Sequence, residues 1–297
     1  MVILVSFDIL IRGVDSIKSD AFAIVHIPKC AGTTLKIAAL RYSDNFYDGE
    51  KYFADLSFYQ KHRIIDSLYV WRHLRGFRGP RDTLIFSKKE LSQTRNSGTH
   101  VMGHIELRNF HSAGFRKILV IVREPRIRAI SQFRYWQTVY GDNVNIYGPA
   151  MKIQARLAKG TFEEYLDFLI NHRGKFSKLY LNVDASITDM INLKFLKRQI
   201  RKSRQDVKFH FFWNYEINSA LQQLVKTDLE CKFEYANITD NDRKIPVTDS
   251  VYELLHEYAK PDMRSLDFLM SHGLTFRDRV SLDDEFNVYA RSYFVRN

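Results

Sequence analysis

His26-Ile27-Pro28-Lys29-Cys30-Ala31-Gly32-Thr33-Thr34 decides how this chain is read. Before it lies an apolar run, Phe22-Ala23-Ile24-Val25; after it comes Leu35-Lys36-Ile37-Ala38-Ala39-Leu40, of helical character. A strand turning through Pro, Lys, Gly and two Thr into a helix gathers backbone N–H groups, two hydroxyls and a cation around one point. The first amides of a helix lack internal partners and the helix dipole is positive there, so the point is a seat for a phosphate-like anion. Many α/β proteins carry the same local pattern without a ligand, and on this run alone both readings stand. The usual triphosphate loop, G-x-x-x-x-G-K-[ST], places Lys after its second Gly. Here Lys29 precedes the single Gly32, which argues against an ordinary ATPase or GTPase.

A second run, from Lys117 to Ser131, begins with Ile118-Leu119-Val120-Ile121-Val122. Five uniformly apolar, partly β-branched residues suit a strand buried on both faces of a parallel sheet. Arg123 falls at its carboxyl end, where open α/β sheets bind ligands. Pro125 suits the first turn of the next helix. Arg128 and Ser131 are three apart and share a helix face. Arg123 as a planar fork and Ser131 as a hydroxyl donor suit a second phosphate. The competing reading is a solvated basic helix start, to which Arg126, Arg128 and Arg134 would belong. Two anion seats after two buried strands favour a ligand with two separated anionic groups.

These motifs resemble those of the PAPS-dependent carbohydrate sulfotransferases, in particular the branch of heparan-sulfate and dermatan-sulfate uronyl 2-O-sulfotransferases and their bacterial relatives. PAPS is 3′-phosphoadenosine 5′-phosphosulfate, and PAP is its desulfated product. The first signature of that family is matched by His26 to Leu35, the second by Arg123, Glu124, Pro125, Arg128, Ser131 and Phe133. A Gly-His pair ahead of the second is matched by Gly103-His104, and weaker likeness extends over roughly residues 22 to 270. The resemblance implies a three-layer α/β fold, a central parallel sheet flanked by helices, of the P-loop-like nucleotide-binding sulfotransferase type. It implies that the loop Lys29-Cys30-Ala31-Gly32-Thr33-Thr34 holds the 5′-phosphosulfate, that Arg123 and Ser131 hold the 3′-phosphate, and that Lys29 and His104 are catalytic, His104 as the base. It implies PAPS as cofactor, no metal, and a carbohydrate acceptor. The chain departs from the family at Cys30 (commonly Thr), Glu124 (commonly Asp), Met102 (a second His in some relatives) and Trp213-Asn214-Tyr215 (usually a turn of small residues).

Sulfuryl transfer resembles phosphoryl transfer, so positioning and charge stabilisation carry most of the catalysis. A compact ammonium such as Lys29 follows charge onto the leaving oxygen. A neutral His, with an ordinary pKa of about 6.5, accepts the acceptor's proton near neutral pH. With ten His in the chain, a surface or core role is the competing reading for any one, and His104 is singled out by the family pattern. His26 reads as structural, and His100, His111 and His210 have no comparable case. Cys30 and Cys231 are far apart and no His pair has supporting ligands, so no metal pattern appears.

At 297 residues and 45% hydrophobic content the chain can bury one sizeable core. One domain is expected over 1–297, with a nucleotide-binding core near 20–140 and 205–275 and acceptor-side elaborations near 44–98 and 141–205. The opening Met1 to Val5 is too short to cross a membrane. The absence of an anchor points to a cytoplasmic bacterial enzyme, with a trimmed Golgi lumenal domain as the alternative; two Cys fit a reducing compartment. The net charge of +11 suits an anionic cofactor. Two basic clusters, Arg72 to Lys89 and the helix-spaced Lys194, Lys197, Arg198 and Arg201, are either solvated or steer an acidic polysaccharide. No nucleic acid is expected as partner. Trp71, Tyr135, Trp136 and Tyr140 either stack on sugar rings or pack the core.

Strands are expected near 22–27, 83–86, 99–102, 117–122 and 207–213, and helices near 33–42, 126–139, 161–172, 187–203, 216–227, 249–259 and 262–272. Thr161 to Glu164 and Ser250 to Glu253 read as capping boxes, and Gly273 as a helix end. The segment 141–160 reads as a mobile loop, and the tail from about 280 carries no functional signal. Two other functions compete with the sulfotransferase: a basic α/β module that binds nucleic acid or acidic glycan without chemistry, and a nucleotide-dependent kinase of related fold. The kinase requires a Gly-Lys-[ST] loop ending, which is missing.

Overall fold

A computed structural model describes residues 21–30, 46–48, 88–96, 98, 100–103, 105–139, 154–172, 186–202, 207–216, 244–275 and 279–296. Five parallel strands form the central sheet: β1 (Phe22–Val25), β2 (Phe46–Asp48), β3 (His100–Gly103), β4 (Lys117–Val122) and β5 (Lys208–Trp213), in the order β2-β3-β1-β4-β5. Parallel neighbours require crossovers, and the described helices supply several: α1 (Lys88–Asn96), α2 (Leu107–Ser112), α3 (Pro125–Val139), α4 (Phe162–Asn171), α5 (Ile187–Ile191) and α6 (Leu193–Arg201). Beyond the sheet lie β6 (Ile245–Val247), α7 (Asp249–Ser271), α8 (Arg279–Tyr293) and β7 (Phe294–Arg296), with β6 and β7 paired in parallel. The class is α/β, with a parallel sheet flanked by helices.

The apolar run Ile118 to Val122 is buried throughout, as a central strand covered on both faces must be. It pairs with β1 on one side and β5 on the other, with Phe22 opposite Lys117 and Val122 opposite Trp213. One core surrounds this sheet with Leu107, Phe110, Ile187, Leu196 and Leu266. A second joins α3, α4, α7 and α8 through Ile130, Trp136, Tyr165, Leu255 and Phe286. Trp136 is fully buried there, so it packs the core and offers no face to a sugar.

Several elements differ from the sequence reading. The strand expected over 22–27 ends at Val25, although the His26 amide still donates to Gly103 O at 2.9 Å. The single helix expected over 187–203 is two, because Asn192 takes a left-handed φ of 54° and its side chain caps α6 through the Phe195 amide. The two helices expected over 249–259 and 262–272 are one, α7, which runs through Pro261. A mid-helix Pro removes one hydrogen bond and costs about 3 kcal/mol; burial of Leu255, Tyr258, Ala259, Met263, Leu266 and Leu269 along the same helix offsets it. Ser250 lies inside α7, whose N-cap is Thr248, so the second capping box is not formed. The first is: Thr161 Oγ1 accepts from the Glu164 amide at 3.1 Å, and Glu164 Oε2 accepts from the Thr161 amide at 2.9 Å. Gly273, at φ 62°, ends α7 as expected, with the Leu274 amide closing back onto Leu269 O. The expected elements at 33–42 and 83–86, all but Glu216 of the helix expected over 216–227, and residues 141–153 of the loop expected over 141–160 lie outside the described residues. Residues 154–157 of that loop are helical instead; Gln154 is buried, and Ala155 and Ala158 are buried in the second core.

Among the described residues no helix is long and apolar enough to cross a membrane. Likewise, among the described residues no group of three or more His, Cys, Asp or Glu gathers to hold a metal.

Candidate anion site at the carboxyl ends of β1 and β4

The strand order is of the kind at which open α/β sheets carry a crevice. β1 and β4 are neighbours, but the chain leaves β1 toward the β2 edge and leaves β4 toward the β5 edge. Open α/β sheets bind ligands at such a reversal of strand order. Lys29 stands at one lip and Arg123 at the other.

The first lip is a tight turn. The Cys30 amide donates to Ile27 O at 3.2 Å, with Pro28 at the second position and Lys29 at the third at φ 64°. This is the arrangement of a type II turn, whose third position favours Gly. A lysine there is uncommon and strained. The Cys30 side chain is fully buried, and burial pushes its thiol up to about 12. Its amide is used within the turn. Cys30 therefore supports the loop from below and does not line the crevice.

The second lip clasps the first. Arg123 Nη1 donates to Lys29 O at 3.1 Å, across 94 residues of sequence, and the Arg123 amide donates to the Cys30 sulfur. The Lys29 ammonium lies over the Tyr135 ring, 3.9 Å from its centroid, and Arg123 faces Tyr289 at 5.4 Å. Burial, then the charge of Arg123, pulls the Lys29 ammonium from 10.5 down to about 8. Ser131 is half-buried and stands one turn before Tyr135 on α3, so it shares the helix face that meets the Lys29 loop. Ala31, Gly32, Thr33, Thr34 and His104 lie outside the described residues. Gly103, immediately before His104, closes β3 opposite Val25.

The arginines of α3 divide by partner. Arg126 is buried against Glu124 at 2.5 Å and Asp283 at 2.6 Å. Glu124 Oε2 also accepts from the Ile127 amide at 2.7 Å, which caps the first turn of α3. Burial pushes the Glu124 carboxyl up, while Arg126 and that amide pull it down. Arg128 is buried against Asp262 at 3.3 Å and Tyr258 Oη at 2.9 Å. Asp262 also accepts from the Ile187 and Thr188 amides at the start of α5. Arg134 is buried with its guanidinium over the Tyr293 ring at 4.3 Å. The basic helix start is thus built into the interior rather than solvated. Among the described residues, neither Lys29 nor Arg123 has a carboxylate within ion-pair distance. Aromatic faces support these two cations without neutralising them. The Arg123 Nε is buried with no hydrogen-bond acceptor among the described residues.

His100, at the far end of β3, stacks on Phe22 at 3.7 Å and is drawn down to about 4 by burial and Lys117, as a structural, neutral histidine is. Sequence reasoning missed Tyr289. Its signal was the helical spacing of Leu282, Phe286, Tyr289 and Tyr293, an apolar stripe in a tail read only as carrying no functional signal. No family model, no curated protein and no solved structure matches this chain.

Proposed function

We propose that this chain is a sulfotransferase, of P-loop-like nucleotide-binding fold, that moves the sulfuryl group of PAPS to a hydroxyl of a carbohydrate acceptor. One observation supports this reading above the rest. Lys29 and Arg123, each from a motif that separately resembles a PAPS-binding signature, meet across one crevice with no carboxylate among the described residues to neutralise them. Two adjacent cations repel, and a ligand bearing two anionic groups relieves that repulsion.

When bound, PAPS supplies an activated sulfuryl group, whose bond to phosphate breaks as the acceptor oxygen bonds sulfur. Lys29 stabilises the charge that gathers on the leaving phosphate oxygen. Gly32, Thr33 and Thr34 complete that cradle. Arg123 and Ser131 hold the 3′-phosphate, and His104 takes the proton of the attacking hydroxyl. General-base help of this kind is worth roughly 10²–10⁴-fold in rate. The exposed basic stripe of α6, at Lys194, Lys197, Arg198 and Arg201, fits an acidic polysaccharide as acceptor.

Titration calorimetry with PAP and with ATP tests the assignment. PAP is expected to bind at least tenfold tighter; equal affinities end it. Transfer from labelled PAPS to a panel of glycans then separates an enzyme from a binding module. The enzyme loses transfer in both Lys29→Ala and His104→Ala while its fold survives. A module binds glycan with strong salt dependence, indifferent to His104.

A further inference from the structure

We infer that Tyr289 on α8 is a positioning residue for Arg123, so that the C-terminal helix forms the back wall of the nucleotide site. The inference rests on the reading that Arg123 holds the 3′-phosphate of the nucleotide. An arginine on a flexible stem, repelled by a neighbouring ammonium, needs a support that does not neutralise it. A carboxylate would cancel the charge; an aromatic face attracts the guanidinium and leaves the charge in place. Tyr289 supplies that face at 5.4 Å, while Lys29 O fixes one corner of the fork by accepting from Nη1. The opposite edge of the fork, Nε and Nη2, is the pair of parallel donors that suits a phosphate, and its Nε is buried without an acceptor among the described residues.

Tyr289 is itself held. It stacks on Tyr293 with centroids 4.3 Å apart, and Tyr293 carries Arg134 at 4.3 Å. One turn earlier, Phe286 faces Arg126 at 4.1 Å and Asp283 bonds the same guanidinium. Beyond Tyr293 the chain enters β7, which pairs with β6. The helix thus presents aromatic rings to three arginines of the 123–134 segment, and only the first of these lies at the crevice.

Calorimetry with PAP and with adenosine 5′-phosphate, which lacks the 3′-phosphate, tests the role on the full chain. Tyr289→Leu is expected to lower PAP affinity about tenfold, a loss in the range of one desolvated cation–π contact. It is expected to leave adenosine 5′-phosphate affinity within about twofold, the limit set by surface-scale perturbations. Tyr289→Phe, which keeps the ring, is expected to restore PAP binding. In an Arg123→Ala background Tyr289→Leu is expected to add no further loss. Equal loss for both nucleotides, additivity with Arg123→Ala, or wild-type PAP affinity in Tyr289→Leu overturns the inference. A wild-type protein that does not prefer PAP overturns the nucleotide reading itself, and this inference with it.

Discussion

Lys29 bears two costs at once. Its φ of 64° belongs to a region that disfavours a side chain by about 1–2 kcal/mol. Its ammonium, drawn from 10.5 to about 8 by burial and Arg123, costs on the order of 3 kcal/mol when charged at neutral pH. Strain of this kind persists where a site depends on it. Lys29→Gly and Lys29→Ala both remove the charge, but only Gly accepts the backbone. In urea unfolding the Gly variant is expected to be the more stable of the two by about 1 kcal/mol. Both are expected to bind PAP about 10- to 100-fold more weakly than wild type, the worth of one charge-assisted hydrogen bond. Equal stability of the two variants would show that the turn is not strained in solution.

At the level of the element, Asp262 ties three helices together. It neutralises the buried Arg128 of α3 and accepts both leading amides of α5, from its own place midway along α7. Asp262→Ala leaves a guanidinium uncompensated in the interior, a class of change that costs about 3–5 kcal/mol. Urea unfolding monitored by tryptophan fluorescence is expected to show a loss of that size. A loss under about 1 kcal/mol, the usual worth of a surface ion pair, would place Arg128 in contact with water. The same elements show what a sequence yields and what it withholds. β4 was legible because burial on both faces leaves a continuous apolar run, and the α4 cap because its two reciprocal bonds are local. The break at Asn192, the continuity of α7 through Pro261 and the role of α8 were not. The break rests on a left-handed Asn192 that no spacing pattern marks, and the other two depend on contacts with elements distant in sequence, such as Thr188 donating to Pro261 O at 2.9 Å. At the candidate site the two motifs were legible singly. That Arg126 and Arg128 are structural, while Arg123 has no carboxylate partner among the described residues, required the carboxylates of α7 and α8, far along the chain.

For the whole molecule, proton binding, anion binding and stability are linked through Lys29. Below about pH 8 the ammonium is charged in both folded and unfolded chains, so its burial cost is fully present. As pH rises from about 8 toward 10.5 the folded chain loses this proton first, and the free protein gains stability. A bound phosphate reverses the balance, because an anion beside the ammonium favours its charged form. PAP binding should therefore take up a proton above pH 8 and weaken there. The phosphates of the nucleotide, with a second pKa near 6, do not titrate in this window. At pH 7, PAP at about a hundred times its Kd adds about 2.7 kcal/mol, which raises the melting temperature of a chain this size by roughly 5 °C. At pH 9.5, with affinity down about tenfold, the same PAP concentration adds about 1.4 kcal/mol and roughly half that shift. Lys29→Arg provides the control, since a guanidinium keeps its charge across this range. Its PAP-induced shift, though different in size, is expected to be flat between pH 7 and 9.5. A wild-type shift equally flat would mean that Lys29 does not meet the ligand, and the crevice between β1 and β4 would lose its claim as the nucleotide site.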